Sequence, residues 1–377
     1  MKELQALIEV FEQTEHSAAI ATIVKVSGST YRRPGARMLM TPNGQMVGSI
    51  SGGCLEADVF EHALQVMASG EPVVVEYDTK SDADIVWGLG LGCNGIVRVL
   101  IERLTKDRKP NPIAFLADCC RRRQTGVLAT VCRVEGPQEK VGAHLMLQQN
   151  GNAIGLIENS ELATAILDDA HEALRHSQTT MKLYQLPKGE VEVFIEAIQP
   201  PVPLAIFGAG HDATPLVRFA KELGWHVTVV DSRESYAITD RFPLADAVVL
   251  SRPESIHSYV TVDRHTVAVV MTHNYLQDRE LLKTLLPSPL RYLGILGPKS
   301  RTERLLQELL EQGIAPTEKH LLRLYSPVGI DIGADTPEEI ALSIVAEIRA
   351  VLANRSGGLL RDRQGPIHKR SSEFDPN

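Results

Sequence analysis

Leu204-Ala205-Ile206-Phe207-Gly208-Ala209-Gly210-His211-Asp212-Ala213 passes from four apolar residues into a glycine-rich turn and then into residues able to open a helix. The apolar run predicts a buried strand. Gly208, Gly210 and Ala213 fit the spacing G-x-G-x-x-A. The first position permits a tight turn, the second lets a phosphate approach the backbone, and the small third residue lets the helix pack on the strand. The next apolar run ends in Val229-Val230-Asp231, about 20 residues on, where an acidic side chain can bind a ribose hydroxyl. Further apolar runs at 204–207, 227–230, 247–250, 267–271 and 292–296 alternate with helical stretches. That alternation predicts a Rossmann-like, doubly wound parallel sheet over 203–354. Asp212 complicates the reading, because it sets a negative charge where a helix N-terminus would otherwise attract a pyrophosphate. The domain either binds NAD(P), takes another phosphorylated ligand, or serves as a scaffold.

Upstream, Pro200-Pro201-Val202-Pro203 is a stiff linker, since consecutive prolines disfavour helix and hold the chain extended. The region before it, 1–198, repeats itself. Ile20-Ala21-Thr22-Ile23-Val24-Lys25-Val26 resembles Leu128-Ala129-Thr130-Val131-Cys132-Arg133-Val134, and Gly35-Ala36-Arg37-Met38 matches Gly142-Ala143-His144-Leu145. Asn43-Gly44 then matches Asn150-Gly151, a hairpin signal because both residues tolerate positive φ. Helices follow at 55–69 and 161–175, then strands, with Tyr77 matched by Tyr184 and closing runs at 96–102 and 191–196. The expected fold class is α/β: an N-terminal α+β domain with a strand-hairpin-helix-strand unit duplicated over about 17–104 and 125–198, followed by the Rossmann-like domain. Residues 355–377 turn polar and lose periodicity, so a disordered tail is expected.

The two copies differ where chemistry is most easily placed. Ser51-Gly52-Gly53-Cys54-Leu55-Glu56 is answered by Glu158-Asn159-Ser160-Glu161, without glycine or cysteine. The glycine-rich segment carrying Gly92 and Cys93 lies in an insertion, 79–94, with almost no counterpart. A copy that folds without these loops shows that the scaffold does not need them. Cys54 precedes a helix, a position that suits a reactive thiolate or an anion, although Glu56 in the first turn opposes a lowered thiol pKa. Cys93 sits in a loop able to wrap a ligand. Zinc is disfavoured, since neither C-x-x-C nor paired-histidine spacing is present. Cys119, Cys120 and Cys132 read as packing residues.

In the second half, His211 follows the fingerprint and His273 ends a buried strand, where ligands bind in such sheets. Gly297-Pro298-Lys299-Ser300-Arg301 offers cations beside a helix start. In Gly329-Ile330-Asp331-Ile332-Gly333-Ala334-Asp335-Thr336-Pro337-Glu338-Glu339, Thr336, Pro337 and Glu339 are explained as N-cap, first helical residue and capping-box partner. Asp331, displayed between glycines, is not explained that way.

A formal net charge of −8 on 377 residues argues against a general nucleic-acid or anionic-membrane binder. The N-terminus reads as an amphipathic helix rather than a signal peptide. No run reaches the roughly 20 apolar residues of a membrane span. Five cysteines, an odd number, do not form a disulfide framework. A cytoplasmic, thiol-reduced protein is expected.

Gly48-Ser49-Ile50-Ser51-Gly52-Gly53-Cys54-Leu55-Glu56, Leu91-Gly92-Cys93-Asn94-Gly95, Phe207-Gly208-Ala209-Gly210-His211 and the run from Gly329 through Ser343-Ile344-Val345-Ala346-Glu347-Ile348 together resemble the XdhC/CoxI family of xanthine dehydrogenase accessory proteins. The resemblance covers residues 1 to about 350, in order. It implies a chaperone that binds the molybdenum cofactor (molybdopterin), holds it while a cysteine desulfurase supplies the sulfido ligand, and delivers it to a xanthine dehydrogenase-type molybdenum hydroxylase. On that analogy Cys54 or Cys93 contacts the cofactor or relays sulfur, with Cys54 able to meet the molybdenum. The phosphate would rest on backbone N–H groups at Gly52-Gly53 or at the 208–213 turn. The rival is an NAD(P)-dependent oxidoreductase with an acid such as His273, which leaves the one-copy cysteine loops without a purpose. A pure interaction scaffold fails to explain the glycine-rich loops. Apolar edge strands leave a homodimer open.

Overall fold

The computed structural model describes residues 1–15, 17–78, 95–365 and 367. Gly92 and Cys93, with the rest of the insertion, lie outside the described residues. The chain forms two compact units that divide between Pro200 and Pro201.

The first unit begins with α1 (Lys2–Gln13) and continues as two copies of one motif. The first copy comprises β1 (Ala18–Gly28), β2 (Arg37–Met40), β3 (Met46–Gly48), α2 (Glu56–Ser69), β4 (Val73–Asp78) and β5 (Gly95–Leu104). Its strands make an antiparallel sheet in the order β3-β2-β1-β5-β4. After α3 (Pro112–Arg122) come β6 (Gly126–Val134), β7 (His144–Gln148), β8 (Ala153–Gly155), α4 (Ser160–His176), β9 (Thr180–Leu186) and β10 (Gly189–Ile198). These repeat the order as β8-β7-β6-β10-β9. Gly44 and Gly151 turn the two hairpins with φ of 86° and 88°.

Strand alternation sorts the residues onto two faces. In the first sheet Ala19, Ala21 and Ile23 face α2 together with Val99 and Ile101; Val127, Ala129 and Val131 do the same for α4 with Val193 and Ile195. The opposite faces meet each other through Val24, Leu100, Cys132 and Phe194. Both sheets are irregular at this contact, with register shifts between Ile23 and Lys25 in one and between Glu192 and Val193 in the other. The α1 residues Leu7, Ile8 and Phe11 close the first sheet with Ile113 and Ala117 of α3.

The second unit holds β11 (Pro203–Phe207), α5 (Ala213–Glu222), β12 (His226–Asp231), β13 (Ala247–Leu250), β14 (Val267–Val270), α6 (Tyr275–Leu285), β15 (Tyr292–Ile295), α7 (Lys299–Glu311), α8 (Glu318–Leu321), β16 (Leu324–Tyr325) and α9 (Pro337–Leu352). Every strand pairing is parallel, in the order β13-β12-β11-β14-β15-β16. This is a Rossmann-type doubly wound sheet whose order reverses between β11 and β14. Leu204 and Ile206 face α5 and α9, while Ala205 and Phe207 face α6 and α7. The sixth strand, β16, is only two residues long and was not foreseen from sequence, because so short a run carries no period. Thr336 and Glu339 form the expected capping box on α9. In the tail, residues 360–362 make a single 3-10 turn. No helix among the described residues is long and apolar enough to cross a membrane.

Candidate functional site

The turn from Ile50 to Glu56 satisfies its own polar groups. Ser51 Oγ accepts N–H bonds from Gly53 (3.0 Å), Cys54 (3.0 Å) and Leu55 (3.1 Å). The same hydroxyl donates to Glu56, whose carboxylate also accepts from Ser51 N–H at 2.9 Å and from Ser49 Oγ at 3.2 Å. Burial pushes the Glu56 carboxyl up, but the bonds from Ser51 and Ser49 outweigh it and hold the group below its ordinary value. Gly53 adopts φ 110°, which an L side chain rarely takes, and both Gly52 and Gly53 are exposed. The result is a rigid, anionic turn that carries Cys54, half-buried, with its side chain against the α2-facing core. Of the phosphate seat expected at Gly52-Gly53, the Gly53 N–H points to Ser51 instead, as do those of Cys54 and Leu55.

At the carboxyl ends of the parallel strands the expected fingerprint is in place. Gly208 has φ 121°, and a Cβ there would overlap the Met271 carbonyl. Ala213 is fully buried against the sheet. Asp231 is buried and accepts from Ala209 N–H at 2.8 Å, and Arg233 grips both its oxygens at 2.9 and 2.8 Å. Burial pushes this carboxyl up, while the Arg233 bonds and the Ala209 N–H hold it low. The Arg233 guanidinium in turn lies 3.6 Å from the centroid of the Tyr236 ring. Asp212 does not cap α5; its carboxylate lies over Gly210 and bonds His273 Nε2 at 2.7 Å. His273 holds φ 58°, an uncommon conformation for a residue with a side chain. Asp212 and His273 therefore meet across the switch point between β11 and β14, on the ground where a dinucleotide pyrophosphate would rest.

The other foreseen residues lie apart. His211 is exposed, and so is Asp331, on a loop that Ser343 and Glu347 of α9 fasten through Ile330 and Gly329. Arg301 is engaged with buried Asp278 at 2.6 Å. The packing role foreseen for three cysteines fits their surroundings: burial pushes the Cys119 thiol up to about 12 and raises Cys120 and Cys132 as well. Among the described residues no cluster of His, Cys, Asp and Glu could hold a metal.

One group of residues was missed by sequence reading. Tyr31, Arg32 and Arg33 line a cavity of about 510 Å³ with Leu4, Leu7 and Ile198. The signal was available: the second copy has Gln138-Glu139-Lys140 at these positions, neither aromatic nor doubly basic. The copies thus differ here in charge and aromatic character, as they do elsewhere in cysteine and glycine.

Comparison with known proteins bears on both units. Residues 204–348 match the XdhC Rossmann domain, and residues 12–78 and 119–185, one stretch in each repeat, match the XdhC and CoxI family. A Bacillus subtilis (strain 168) protein, named as a probable subunit of xanthine dehydrogenase, is 35% identical over 92% of this chain and 97% of its own length. The molybdenum cofactor insertion chaperone PaoD of Escherichia coli (strain K12) is 25% identical over 89% of this chain and 83% of its own. A crystal structure from Bacillus halodurans, described as a xanthine dehydrogenase, matches with a TM-score of 0.78 at 32% identity, covering 94% of this chain and 97% of that one.

Proposed function

The chain belongs to the XdhC and CoxI family, and from that premise we propose that it is an accessory protein of a xanthine dehydrogenase-type molybdenum hydroxylase. It binds molybdenum cofactor as cargo, supports its sulfuration by a cysteine desulfurase, and delivers it to that enzyme in the cytoplasm. The observation that carries this reading is the Ser51–Glu56 turn. Three N–H groups are spent on holding its shape around one serine oxygen, and the turn so fixed carries Cys54, whose thiol is half-buried rather than sealed in the core. A soft sulfur ligand suits molybdenum and sulfur chemistry. Relatives named for xanthine dehydrogenase and for cofactor insertion along nearly the whole chain support the same assignment.

The oxidoreductase alternative fares worse on geometry. A dinucleotide would have to displace the Asp212 carboxylate from Gly210 and the Arg233 guanidinium from Asp231. A homodimer, if formed, has an apolar edge available at β8, where Ile154 and neighbouring Leu156 are exposed.

The test is reconstitution. Cofactor-free molybdenum hydroxylase is mixed with molybdenum cofactor, desulfurase and cysteine, with and without this protein, and activity recovery is followed. Faster recovery of sulfurated enzyme with the protein present supports the proposal, and no difference refutes it. Parallel titrations with molybdopterin and NADH decide between the readings: a saturable response to NADH alone would favour the oxidoreductase.

A further inference from the structure

The cofactor reading needs a seat for the ligand's phosphate, and the protein's own oxygens intrude on both seats foreseen in the sequence. Ser51 Oγ occupies the N–H groups of residues 53–55, and the Asp212 carboxylate lies over Gly210. The cavity of about 510 Å³ in the first unit is in the size range of small-molecule pockets, roughly 300–1,000 Å³. Its walls are Leu4 and Leu7 of α1, the 31–36 segment and the end of β10. Two of its three arginines are committed. Arg37 is buried and forked to Glu196, and Arg32 is forked to Glu3. Arg33 is exposed, and among the described residues no carboxylate pairs with it. Of the cavity's arginines Arg33 alone thus has its charge unmatched by a carboxylate, beside a tyrosine, Tyr31, that is 69% exposed.

Its position is equally informative. A Cβ at Gly48, at the end of β3 and just before the Cys54 turn, would overlap the Arg37 carbonyl and lie 3.5 Å from Leu7, so the cavity wall adjoins the strand that leads into that turn. A Cβ at Gly95, where the insertion carrying Cys93 rejoins the sheet, would lie 2.8 Å from the Ser29 carbonyl and 2.9 Å from Thr30 Cγ2. The chain around the cavity therefore touches both β3, which leads into the Cys54 turn, and Gly95, the first residue of β5.

We propose that this cavity seats a phosphorylated, flat heterocycle, with Arg33 binding the phosphate monoester and Tyr31 stacking on the ring. The assignment rests on the cofactor reading above and locates the anionic end of the cargo. An exposed arginine matches a phosphate's oxygens with paired donors. Leu4, Leu7 and Ile198 supply the apolar wall against which a ring can lie.

The experiment compares molybdopterin released from a molybdenum enzyme with the same material treated with phosphatase, titrated against the full chain by fluorescence. Arg33→Ala is expected to weaken the phosphorylated form by roughly 10–100-fold, the worth of a hydrogen bond to a charged group, and to leave the dephosphorylated form unchanged. Arg33→Lys should recover part of the loss, and Tyr31→Ala should weaken both forms. Thermal unfolding of each variant, matching the parent at these exposed positions, shows that the fold is intact. If the parent binds molybdopterin and Arg33→Ala binds the phosphorylated form equally well, this seat is overturned and the cofactor reading stands. If the parent binds neither form, both fall together.

Discussion

Glu196, near the end of β10, crosses between the two sheets to take the Arg37 guanidinium of β2 in a two-point fork, one arm at 2.9 Å. The counterpart residues repeat the exchange in reverse. Glu102 of β5 takes His144 of β7 at 2.8 Å, and Arg108 adds a second contact at 3.3 Å. Each repeat thus supplies a carboxylate to the other's second strand, and the duplication is locked by charge as well as by the Leu100–Phe194 contact. A buried pair of this kind is costly to break from one side, since the orphaned charge has no water to turn to.

Glu196→Ala is accordingly expected to lower unfolding free energy by about 3–5 kcal/mol. Replacing both partners, Arg37→Met with Glu196→Leu, should cost less than either single change, because no charge is left behind. Urea denaturation of the three variants checks this. Additive losses would show that the fork contributes nothing as a pair.

Glu102 gives the same interface a pH dependence. Burial raises its carboxyl, but His144 and Arg108 overcome burial and hold it below the ordinary value, about 4.3 for glutamate. A group depressed in the folded state contributes its full stability above the unfolded value and loses it as pH falls through the lower folded one. Asp231 and Glu56 are depressed as well and add to the loss in the same direction. Stability should therefore decline below pH of about 4. Glu102→Gln should be less stable than the parent near neutrality, with the gap closing as the medium is acidified. Urea midpoints across that range check it, and a gap independent of pH would contradict the assignment.

Much of this architecture could be read from the chain. The repeat was legible because Gly35-Ala36-Arg37 and Gly142-Ala143-His144 keep their spacing to the hairpin glycines, and the parallel sheet because its strands alternate with helical periods. Pairing between copies was not legible. Nothing in Arg37 or Glu196 alone announces a partner so distant in sequence, since sheet-on-sheet contacts follow from packing rather than local pattern. The candidate turn was found for its glycines, yet its main device, Ser51 as acceptor for three N–H groups, depends on a backbone path that composition does not encode. Likewise Asp212 was flagged as an intruder at a phosphate site, but its bond to His273 requires the strand order to be known.

Ser51 and Cys54 should separate under mutation. Ser51→Ala removes the acceptor for the N–H groups of residues 53–55 and a donor to Glu56, so it is expected to destabilise the first unit by about 1–2 kcal/mol, as loss of a helix cap does. Cys54→Ser keeps the size and the turn. With the side chain half-buried against the core, it should destabilise the first unit by about 1 kcal/mol, the ordinary cost of a point substitution, while reducing recovery of a molybdenum hydroxylase in the reconstitution well beyond what that loss explains. A Cys54→Ser protein that supports recovery as well as the parent would remove the thiol from the mechanism.

Asp212 and His273 provide the last test, because they decide what the parallel sheet can still bind. The carboxylate lies over Gly210, where the second glycine of the fingerprint ordinarily admits a pyrophosphate, and His273 Nε2 at 2.7 Å fixes it there. A negative charge at that point repels the ligand that the helix N-terminus would attract. The parent chain should therefore show no saturable response to NADH. Asp212→Ala removes the charge, vacates the space above Gly210 and leaves the Gly208 turn as it is. A measurable NADH response in this variant alone would show that Asp212 is what closes an otherwise competent cradle. A variant that stays silent would place the block at Asp231, whose two oxygens are held by Arg233 and the Ala209 N–H, and Asp212→Ala with Arg233→Ala would then be the form to respond. Tight NADH binding by the parent would overturn the occupied-cradle argument outright.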